Sequence, residues 1–421
     1  MCFDHEALLM NVAAFIGERI AFSKQRSFSR FIIRLSVAAT VVSVAAMIIT
    51  LAFVNGFQRT VSEKVFSFWG HIRIQRFEPN KSLIAEETPM PKSDSVLKAL
   101  KHISEVKQVQ VFGTRSVVVE KNMNIEGLLF KGVEPEYDFN NLKPFVTEGG
   151  WLNFKDSLYS RNILISQQTA EQLGAKVNDT IKVFFISREQ QTSVYRPLIV
   201  SGIYKTGIEE YDKLFALGDI RLIRRLSDWQ PDEIGGYEVF LDDYRKMDTI
   251  NHHLLTRGVL PDIWISRTVR QVYPNIFDWL GIQDVNRNVI FVVMAVVAII
   301  NLITCLLILV LERTRMIGIL KAVGSTEGTI QTIFMYHAAI IAATGVGLGL
   351  VFGLGLCFLQ QATGFIKLDE AAYYVSTAPV DIIWWQVAAV CVATLIVCFL
   401  ALIIPTLIVR SIRPVKAIQF R

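Results

Sequence analysis

Charge-free stretches alternate with polar regions along this chain of 421 residues and indicate where it crosses a membrane. Four stretches contain no Asp, Glu, Lys or Arg, and each is longer than the roughly 20 apolar residues that span a bilayer's hydrocarbon. They cover residues 35–58, 288–311, 328–366 and 382–409. The third is long but contains no turn, so it predicts one span. We therefore predict four transmembrane helices, at residues 31–56, 287–311, 328–360 and 382–409.

The polar region at residues 57–286 has two similar ends around a different middle. Each end is predicted to form a strand, a helix and a second strand. Apolar and polar residues alternate in the two strands, and apolar residues recur every three to four positions in the helix between them. The predicted elements lie at 71–75, 93–103 and 109–112 (continued at 116–120), and at 237–241, 244–255 and 262–266. Two β-α-β units separated by an insertion predict a split α+β unit assembled from both ends.

The insertion, residues 124–234, is predicted to be mostly β. Its strands are expected at 125–133, 163–165, 180–186 and 195–204. One short helix at 167–173 ends at Gly174, a common C-terminal stop signal. Polar residues 187–193 predict a hairpin tip in solvent. The predicted fold class is an α-helical membrane protein with four transmembrane helices and a large α+β domain between the first two.

Lys and Arg residues orient the spans. They cluster before the first span, between the second and third, and after the fourth, at Arg19, Lys24, Arg26, Arg30, Arg34, Arg313, Arg315, Lys321, Arg410, Arg413, Lys416 and Arg421. The connection at 361–381 instead holds one Lys against three acidic residues. Because cytoplasmic loops carry excess Lys and Arg, both termini (1–30 and 410–421) and the 312–327 segment are predicted to be cytoplasmic. Residues 57–286 are predicted to lie on the other side.

The composition agrees with a membrane protein that carries a large polar portion, since 52% of residues are apolar and only 19% are charged. The first apolar run begins late and is too long for a cleaved signal peptide. Residues 11–22 instead have the spacing of an amphipathic helix lying at the membrane surface. None of the five cysteines falls within 57–286, so that region is expected to contain no disulfide.

Sequence motifs for catalysis and cofactor binding are absent. No G-x-x-x-x-G-K-[ST] occurs, so the chain does not hydrolyse ATP by that mechanism. His252 and His253 are adjacent but have no nearby Cys or third ligand, which argues against a metal site. The spans contain no Asp, Glu, Lys or Arg at their centres, where ion-driven carriers usually place ionisable groups. His337 and Asn301 are strongly polar candidates there, but both are more simply interpreted as helix-contact residues. We expect no catalytic residue, metal or cofactor in this chain.

A charged, helix-forming segment at 312–324 separates the second and third spans. Ile317, Leu320 and Lys321 are three and four residues apart, so they share a helix face. Two apolar residues on a cytoplasmic helix predict a docking surface for a soluble partner. The residues assigned to it are Glu312, Arg313, Arg315, Ile317, Gly318, Leu320, Lys321 and Gly324. In the third span, Gly345, Gly349 and Gly353 recur every four residues and predict close helix packing.

Several fragments resemble the lipoprotein-releasing (Lol) type of ATP-binding-cassette permease. Residues 312–324 match the "E-x-T-R-x-I-G-I-L-x-A-x-G" stretch of that class and of macrolide exporters. Residues 54–59 resemble the "MNGFE" turn, and 200–212 resemble "V-x-G-x-F…EYD". Residues 163–179 resemble the "LG-x-x-x-GD" stretch, with Asn178 in place of a glycine. Because the fragments occur in family order, the chain resembles the Lol type within the macrolide-exporter and FtsX-like permease superfamily.

The resemblance implies a bacterial inner-membrane protein whose domain at 57–286 is periplasmic. It also implies a dimer of permeases, identical or related, above a pair of cytoplasmic ATPases that use ATP and Mg, and no nucleic-acid partner. A substrate or carrier face is implied at Arg188, Tyr195, Glu209, Glu210 and Tyr211. Small residues in the first span either pack span against span or border a lateral opening for an acyl chain, with Val42, Ile49 and Phe53 as candidates.

The implied function is a permease subunit that relays ATPase motion to the periplasmic domain, extracting lipoproteins for a periplasmic carrier. The hairpin at 186–196 is shorter than in carrier-binding members, and its nearest proline is Pro197. That departure favours weak carrier binding by this chain, or binding by a partner permease. Two alternatives stay open: an FtsX-like regulator of a cell-wall hydrolase, and a macrolide- or peptide-extruding permease of the same superfamily.

Overall fold

A computed structural model describes residues 28–79, 85–155, 158–186, 193–227 and 229–401 of the chain. The helices are α1 (Phe28–Trp69), α2 (Asp94–Lys101), α3 (Gln167–Leu173), α4 (Glu209–Asp212), α5 (Ile220–Leu226), α6 (Met247–Thr256), α7 (Val269–Val272), α8 (Pro274–Glu312), α9 (Thr314–Ala322), α10 (Glu327–Thr363), α11 (Glu370–Tyr373) and α12 (Trp384–Ala401). The strands are β1 (Ile72–Arg76), β2 (Met90–Pro91), β3 (Val106–Lys121), β4 (Asn124–Val133), β5 (Val146–Gly149), β6 (Asn162–Ser166), β7 (Thr180–Ile186), β8 (Ser193–Tyr204), β9 (Phe215–Asp219), β10 (Glu233–Ile234), β11 (Gly236–Leu241) and β12 (Trp264–Thr268).

These elements form two compact units. The helical unit contains the chain up to Gln58, Leu280–Lys367 and the chain from Thr377 onward. The sheet unit contains Arg59–Trp279 and Leu368–Ser376. A short segment that follows α10 in sequence therefore belongs to the sheet unit.

Three helices in the described residues are long and apolar enough to cross a membrane. They are Phe31–Trp69, Pro274–Glu312 and Glu327–Thr363, and Trp384–Leu400 is a shorter apolar helix. The fourth predicted span, 382–409, continues beyond residue 401, outside the described residues, so the count of four stays a prediction. The N-terminal helix predicted at 11–22 also lies outside them.

Helix α1 continues well past its charge-free stretch. It has 42 residues and ends at Trp69. At 1.5 Å per residue it is roughly 60 Å long, about twice the hydrocarbon thickness of a bilayer. Gly70 follows it in a left-handed conformation (φ +68°), a common way for a helix to end. The residues from Phe57 to Trp69 therefore continue the helix of the first predicted span.

Glycines let two long helices of the helical unit approach closely. A Cβ at Gly345 would lie 2.8 Å from Thr40, and one at Gly349 would lie 2.8 Å from Val44. A Cβ at Gly353 would lie 3.1 Å from the Ala45 Cα atom. The glycine stripe of α10 thus lies directly against α1, at distances that side chains would not permit.

The two ends of the sheet unit share one antiparallel sheet. The strand order there is β12-β1-β11-β3, with β1 between the two strands from the far end of the region. Helix α2 connects β1 to β3 in sequence, and α6 connects β11 to β12. Val96 and Leu100 of α2, and Ile250 and Leu254 of α6, are buried. On each helix, apolar residues at helical spacing therefore form the buried face.

The insertion closes into a ring of six strands. In succession β3, β4, β9, β6, β8 and β7 pair with one another, and β7 pairs back with β3. Strand β3 has 16 residues, so its first part pairs with β11 and its second part pairs with β7. Val119, Phe130, Ile165, Val183 and Val200 are fully buried in the ring's apolar cluster. Closing the ring leaves fewer unpaired strand edges.

Candidate functional site

The segment between the second and third long helices forms its own short helix. The chain leaves helical geometry at Arg313, and α9 then runs to Ala322. Gly324 adopts a left-handed conformation (φ +95°), which any other residue would find strained. The Thr326 hydroxyl accepts a hydrogen bond from the Thr329 amide and caps α10. Both ends of α9 are therefore set by local backbone chemistry.

The face of α9 that carries Ile317 points inward. Ile317 is 0% exposed and packs with Val310, Ile330 and Phe334, while Leu320 is partly buried against the same cluster. Gly318 is buried as well. The prediction that Ile317 lies on an exposed docking face is therefore wrong, while the docking role of the half-buried Leu320 stays a prediction. Their apolar side chains stabilise α9 against α8 and α10, which is the more favourable use of apolar surface.

The opposite face of α9 is exposed. It presents Arg315, Ile319 and Val323, with Ile319 50% exposed and Val323 82% exposed. Glu312 and Gly324 are also exposed, and Arg313 is half-buried. Lys321 forms an ion pair with Glu327 at 3.4 Å. Apolar residues with this exposure beside a basic residue are suited to a protein partner.

An apolar groove of about 420 Å³ lies between α1 and α8 within the helical unit. Thr50, Phe53, Val54 and Phe57 of α1 line one side, and Gln283, Asn286, Arg287, Val289 and Ile290 of α8 line the other. Phe53 is thus a groove residue, Ile49 is half-buried, and Val42 is 61% exposed. The Arg287 guanidinium pairs with Asp284 at 2.9 Å. The groove joins an apolar wall to a polar rim.

Tyr211 lies inside the sheet unit and not on its surface. It is 0% exposed, and its ring lies 5.0 Å from Phe68 and 5.2 Å from Tyr273, measured between centroids. Burial raises the pKa of Tyr211 well above its ordinary value. Its assignment to a substrate or carrier face is therefore wrong, because its large apolar ring is stabilised by packing at the end of α1.

The other residues of the predicted substrate or carrier face are exposed or lie outside the described residues. Glu209 and Glu210 are exposed, and Glu209 pairs with Lys213, the residue that follows α4. Tyr195 is 54% exposed, with its ring 5.6 Å from that of Phe184. Arg188 and the tip of its hairpin lie outside the described residues. Whether these side chains meet a substrate or carrier stays a prediction.

Asp212 holds a turn together beside Tyr211. Its carboxylate accepts hydrogen bonds from the Thr206 amide at 3.0 Å, the Thr206 hydroxyl at 2.8 Å and the Gly207 amide at 3.0 Å. Burial raises the pKa of Asp212, and these hydrogen bonds oppose the shift. Asp212 of the "EYD" fragment thus stabilises the turn at Thr206 and Gly207.

A buried charged cluster at the end of α1 was not predicted. Lys131 of β4 and Glu238 of β11 are both 0% exposed and form an ion pair at 2.7 Å. Lys131 also donates to the carbonyl of Phe68, in the last turn of α1. Burial lowers the pKa of Lys131, and Glu238 opposes that shift. Arg73 pairs with Glu87 nearby at 2.5 Å. Distant segments supply these residues, so no local pattern could have identified the cluster.

Metal ligands do not cluster in the described part of the chain. No group of three or more His, Cys, Asp or Glu there could hold a metal ion. His252 and His253 both lie exposed on α6. The expectation that this chain binds no metal stays a prediction.

Two family models cover most of the chain. The MacB-like periplasmic core domain matches residues 35–251, just over half of the chain, and the FtsX-like permease C-terminal model matches residues 288–414. The lipoprotein-releasing system transmembrane protein LolE of Haemophilus influenzae is 24% identical over 97% of this chain and 100% of its own length. The corresponding protein LolC of Neisseria meningitidis serogroup B is 23% identical over 98% of this chain and 100% of its own. The chain is a Lol-type permease of the FtsX/MacB superfamily.

The resemblance seen in short fragments is thus confirmed along the length of this Lol-type permease. Two solved structures also match part of it. The extracellular domain of the noncanonic ABC-type transporter YknZ from Gram-positive bacteria covers 47% of this chain and 99% of its own, at 15% identity and a TM-score of 0.32. The periplasmic region of MacB from Actinobacillus actinomycetemcomitans covers 49% of this chain and 91% of its own, at 13% identity and a TM-score of 0.33.

Proposed function

We propose that this permease is a subunit of an ATP-driven transporter that extracts lipoproteins from the bacterial inner membrane and delivers them to a periplasmic carrier. The main support is the near-full-length match to proteins of lipoprotein-releasing systems. In this proposal the permease crosses the membrane four times with both termini in the cytoplasm, and the sheet unit is periplasmic. ATP and Mg are used by a separate pair of ATPase chains.

The groove between α1 and α8 suits the lipid part of such a substrate. Withdrawing an acyl chain into water would cost about 0.8 kcal/mol per methylene, so ten methylenes would cost about 8 kcal/mol. A covered apolar path lowers that cost. Phe53 and Val54 supply apolar wall, while Gln283, Asn286 and Arg287 supply polar atoms at the other side. The groove can therefore accept an acyl chain beside a polar linker.

The exposed face of α9 is the proposed docking surface for the ATPase. Arg315, Ile319 and Val323 lie one to two helical turns apart on that face. The buried face then transmits the force, because Ile317 packs between Val310 of α8 and the start of α10. A push on α9 would move both long helices. The docking role thus belongs to the segment's outer face, and the relay belongs to its inner face.

Two further partners belong to the proposal. A second permease, identical or related, completes the transporter, as the resemblance implies. We propose that carrier binding through the short hairpin between β7 and β8 is weak. Large anchors that become buried usually dominate binding, and among the described residues beside the tip Tyr195 is the exposed aromatic side chain that could serve as one. Glu209 and Glu210 contribute charge to the exposed surface of the sheet unit.

Site-specific photo-crosslinking tests the lipoprotein assignment. A photoreactive residue at Phe53 should form an adduct with a lipoprotein in the resting, ATP-free complex, and ATP should reduce the yield. The control is Val351 of α10, which is 70% exposed and also apolar. It should give lipid adducts only. Phe53 adducts that contain only lipid or a second permease would count against the groove as the substrate's path.

A further inference from the structure

The segment Leu368–Ser376 connects α10 with α12 in sequence but belongs to the sheet unit. It contains the one-turn helix α11. The Leu368 amide donates to the Ser376 carbonyl at 2.9 Å, and the Tyr374 amide donates to the Glu370 carbonyl at 2.8 Å. Tyr374 has a left-handed backbone (φ +60°), which is uncommon for a large side chain. Such a conformation persists when surrounding contacts hold it.

An ion pair and a hydrogen bond from a lysine hold this segment from two directions. The Glu370 carboxylate pairs with the Lys205 ammonium at 2.6 Å. Lys64, on the outer part of α1, donates to the Tyr374 carbonyl at 2.7 Å. Gly207 leaves room for both groups, because a Cβ there would lie 2.4 Å from the Glu370 Oε1 atom and 2.8 Å from the Lys64 ammonium nitrogen. Glu370 thus lies beside two lysines, and its hydrogen bond raises the pKa of Lys205.

Aromatic contacts hold it from a third direction. The ring of Trp279, near the start of α8, meets the Tyr374 ring edge-on at 5.8 Å and the Tyr373 ring at 6.4 Å. The segment therefore contacts the outer part of α1, the start of α8 and the turn that carries Lys205. None of these contacts serves the groove or the docking face.

We propose that Leu368–Ser376 is a latch that makes the sheet unit follow α10 and α12 as well as α1 and α8. The inference rests on the proposed transport function. The physical basis is that these nine residues lie between α10 and α12 in sequence and also contact the outer part of α1 and the start of α8. The Lys205 and Glu370 side chains are 42% and 27% exposed, so each contact alone is weak and several act together.

Neutralising Glu370 is the first test, in the assembled transporter with its ATPase. Glu370→Gln keeps the shape of the side chain but removes the charge between the lysines. Hydrogen exchange of the Leu368 and Tyr374 amides should become about fivefold faster, which corresponds to about 1 kcal/mol of lost protection. ATP hydrolysis should remain within twofold of wild type, while lipoprotein release should fall at least threefold. Near-normal ATP hydrolysis with reduced lipoprotein release would distinguish a loss of coupling from misfolding of the permease.

Glu171→Gln is the matched control. Glu171 lines the same open cleft as Glu370, but it accepts a hydrogen bond from Gln167 on its own helix, α3, and none from the latch. The control should leave exchange and release unchanged. Lys205→Gln, which removes the same ion pair from the other side, should speed amide exchange and lower release in the same way as Glu370→Gln.

Unchanged amide exchange in Glu370→Gln would show that the latch does not depend on this charge and would overturn the proposal. Faster exchange with normal release would also overturn it, since the segment would then transmit nothing. Failure of the proposed function is distinguishable through spin labels at Thr363 and Met123. If the wild-type complex hydrolyses ATP but releases no lipoprotein, a distance distribution that broadens in Glu370→Gln but not in Glu171→Gln supports the latch. Equal distributions overturn it.

Discussion

Replacing Lys131 by methionine tests whether the buried charged cluster anchors α1 to the sheet unit. Methionine has a similar length but lacks the ammonium group. The change removes the 2.7 Å ion pair with Glu238 and the hydrogen bond to the Phe68 carbonyl. Glu238 would then stay buried with the Tyr137 hydroxyl as a remaining hydrogen-bond donor, at 3.0 Å.

The expected loss of stability is large. Breaking a buried ion pair by removing one partner typically costs about 3–5 kcal/mol. For a unit of this size each kcal/mol lowers the unfolding temperature by about 2–4 °C, so Lys131→Met should lower it by roughly 6–20 °C. Glu238→Gln in the same chain removes the uncompensated charge and still accepts the Tyr137 hydrogen bond. The double variant should therefore regain more than half of the loss.

Thermal unfolding of the full-length permease in detergent is the assay, with protease resistance of the sheet unit as the signal. The Lys131 ammonium lies 4.8 Å from the centre of the Trp69 ring, so tryptophan fluorescence gives a second, local signal. Lys182→Met is the control, because Lys182 also pairs with a glutamate but is 54% exposed. It should change the unfolding temperature by less than about 2–4 °C, the equivalent of about 1 kcal/mol.

Lys131→Met with an unchanged unfolding temperature would refute the reasoning, since the pair would then contribute nothing net. A double variant no more stable than the single one would refute it differently. In that case the loss would come from the missing hydrogen bond to Phe68 and not from the unpaired charge of Glu238.

The remaining predictions concern the helical unit. Ile319→Asp and Val323→Asp should each weaken co-purification of the ATPase and leave the permease folded. Burial of both apolar side chains against the ATPase would contribute roughly 2.5 kcal/mol to binding, which corresponds to about 50- to 100-fold in affinity. Ile317→Asp should instead destabilise the permease itself, and normal co-purification by both surface variants would contradict the docking face. Gly349→Ala should lower thermal stability by about 1–3 kcal/mol, because its Cβ would lie 2.8 Å from Val44. Gly347→Ala is the control, since no atom lies within 4 Å of its added Cβ; equal effects of the two alanines would argue against close packing of α1 and α10.

Short-range sequence patterns determined where many helices and strands of this protein lie. Charge-free length predicted the long helices, because a bilayer admits few charges in its hydrocarbon. Alternation predicted strands such as β1, β7 and β11, and Gly174 marked the end of α3, since each signal acts within a few neighbouring residues. The four-residue spacing of Gly345, Gly349 and Gly353 predicted close packing on one helix face, although not that α1 would be the neighbour.

Only the tertiary structure decided which surface each side chain faces. On α9, Ile317 and Ile319 are both apolar, and α10 buries the first and leaves the second exposed. Tyr211 looked like a surface residue among acidic neighbours, but Phe68 and Tyr273 enclose it. The six-strand ring, the Lys131–Glu238 pair and the contacts of Leu368–Ser376 all join residues far apart in sequence. Their partners are set by how distant elements pack, and no local pattern carries that information.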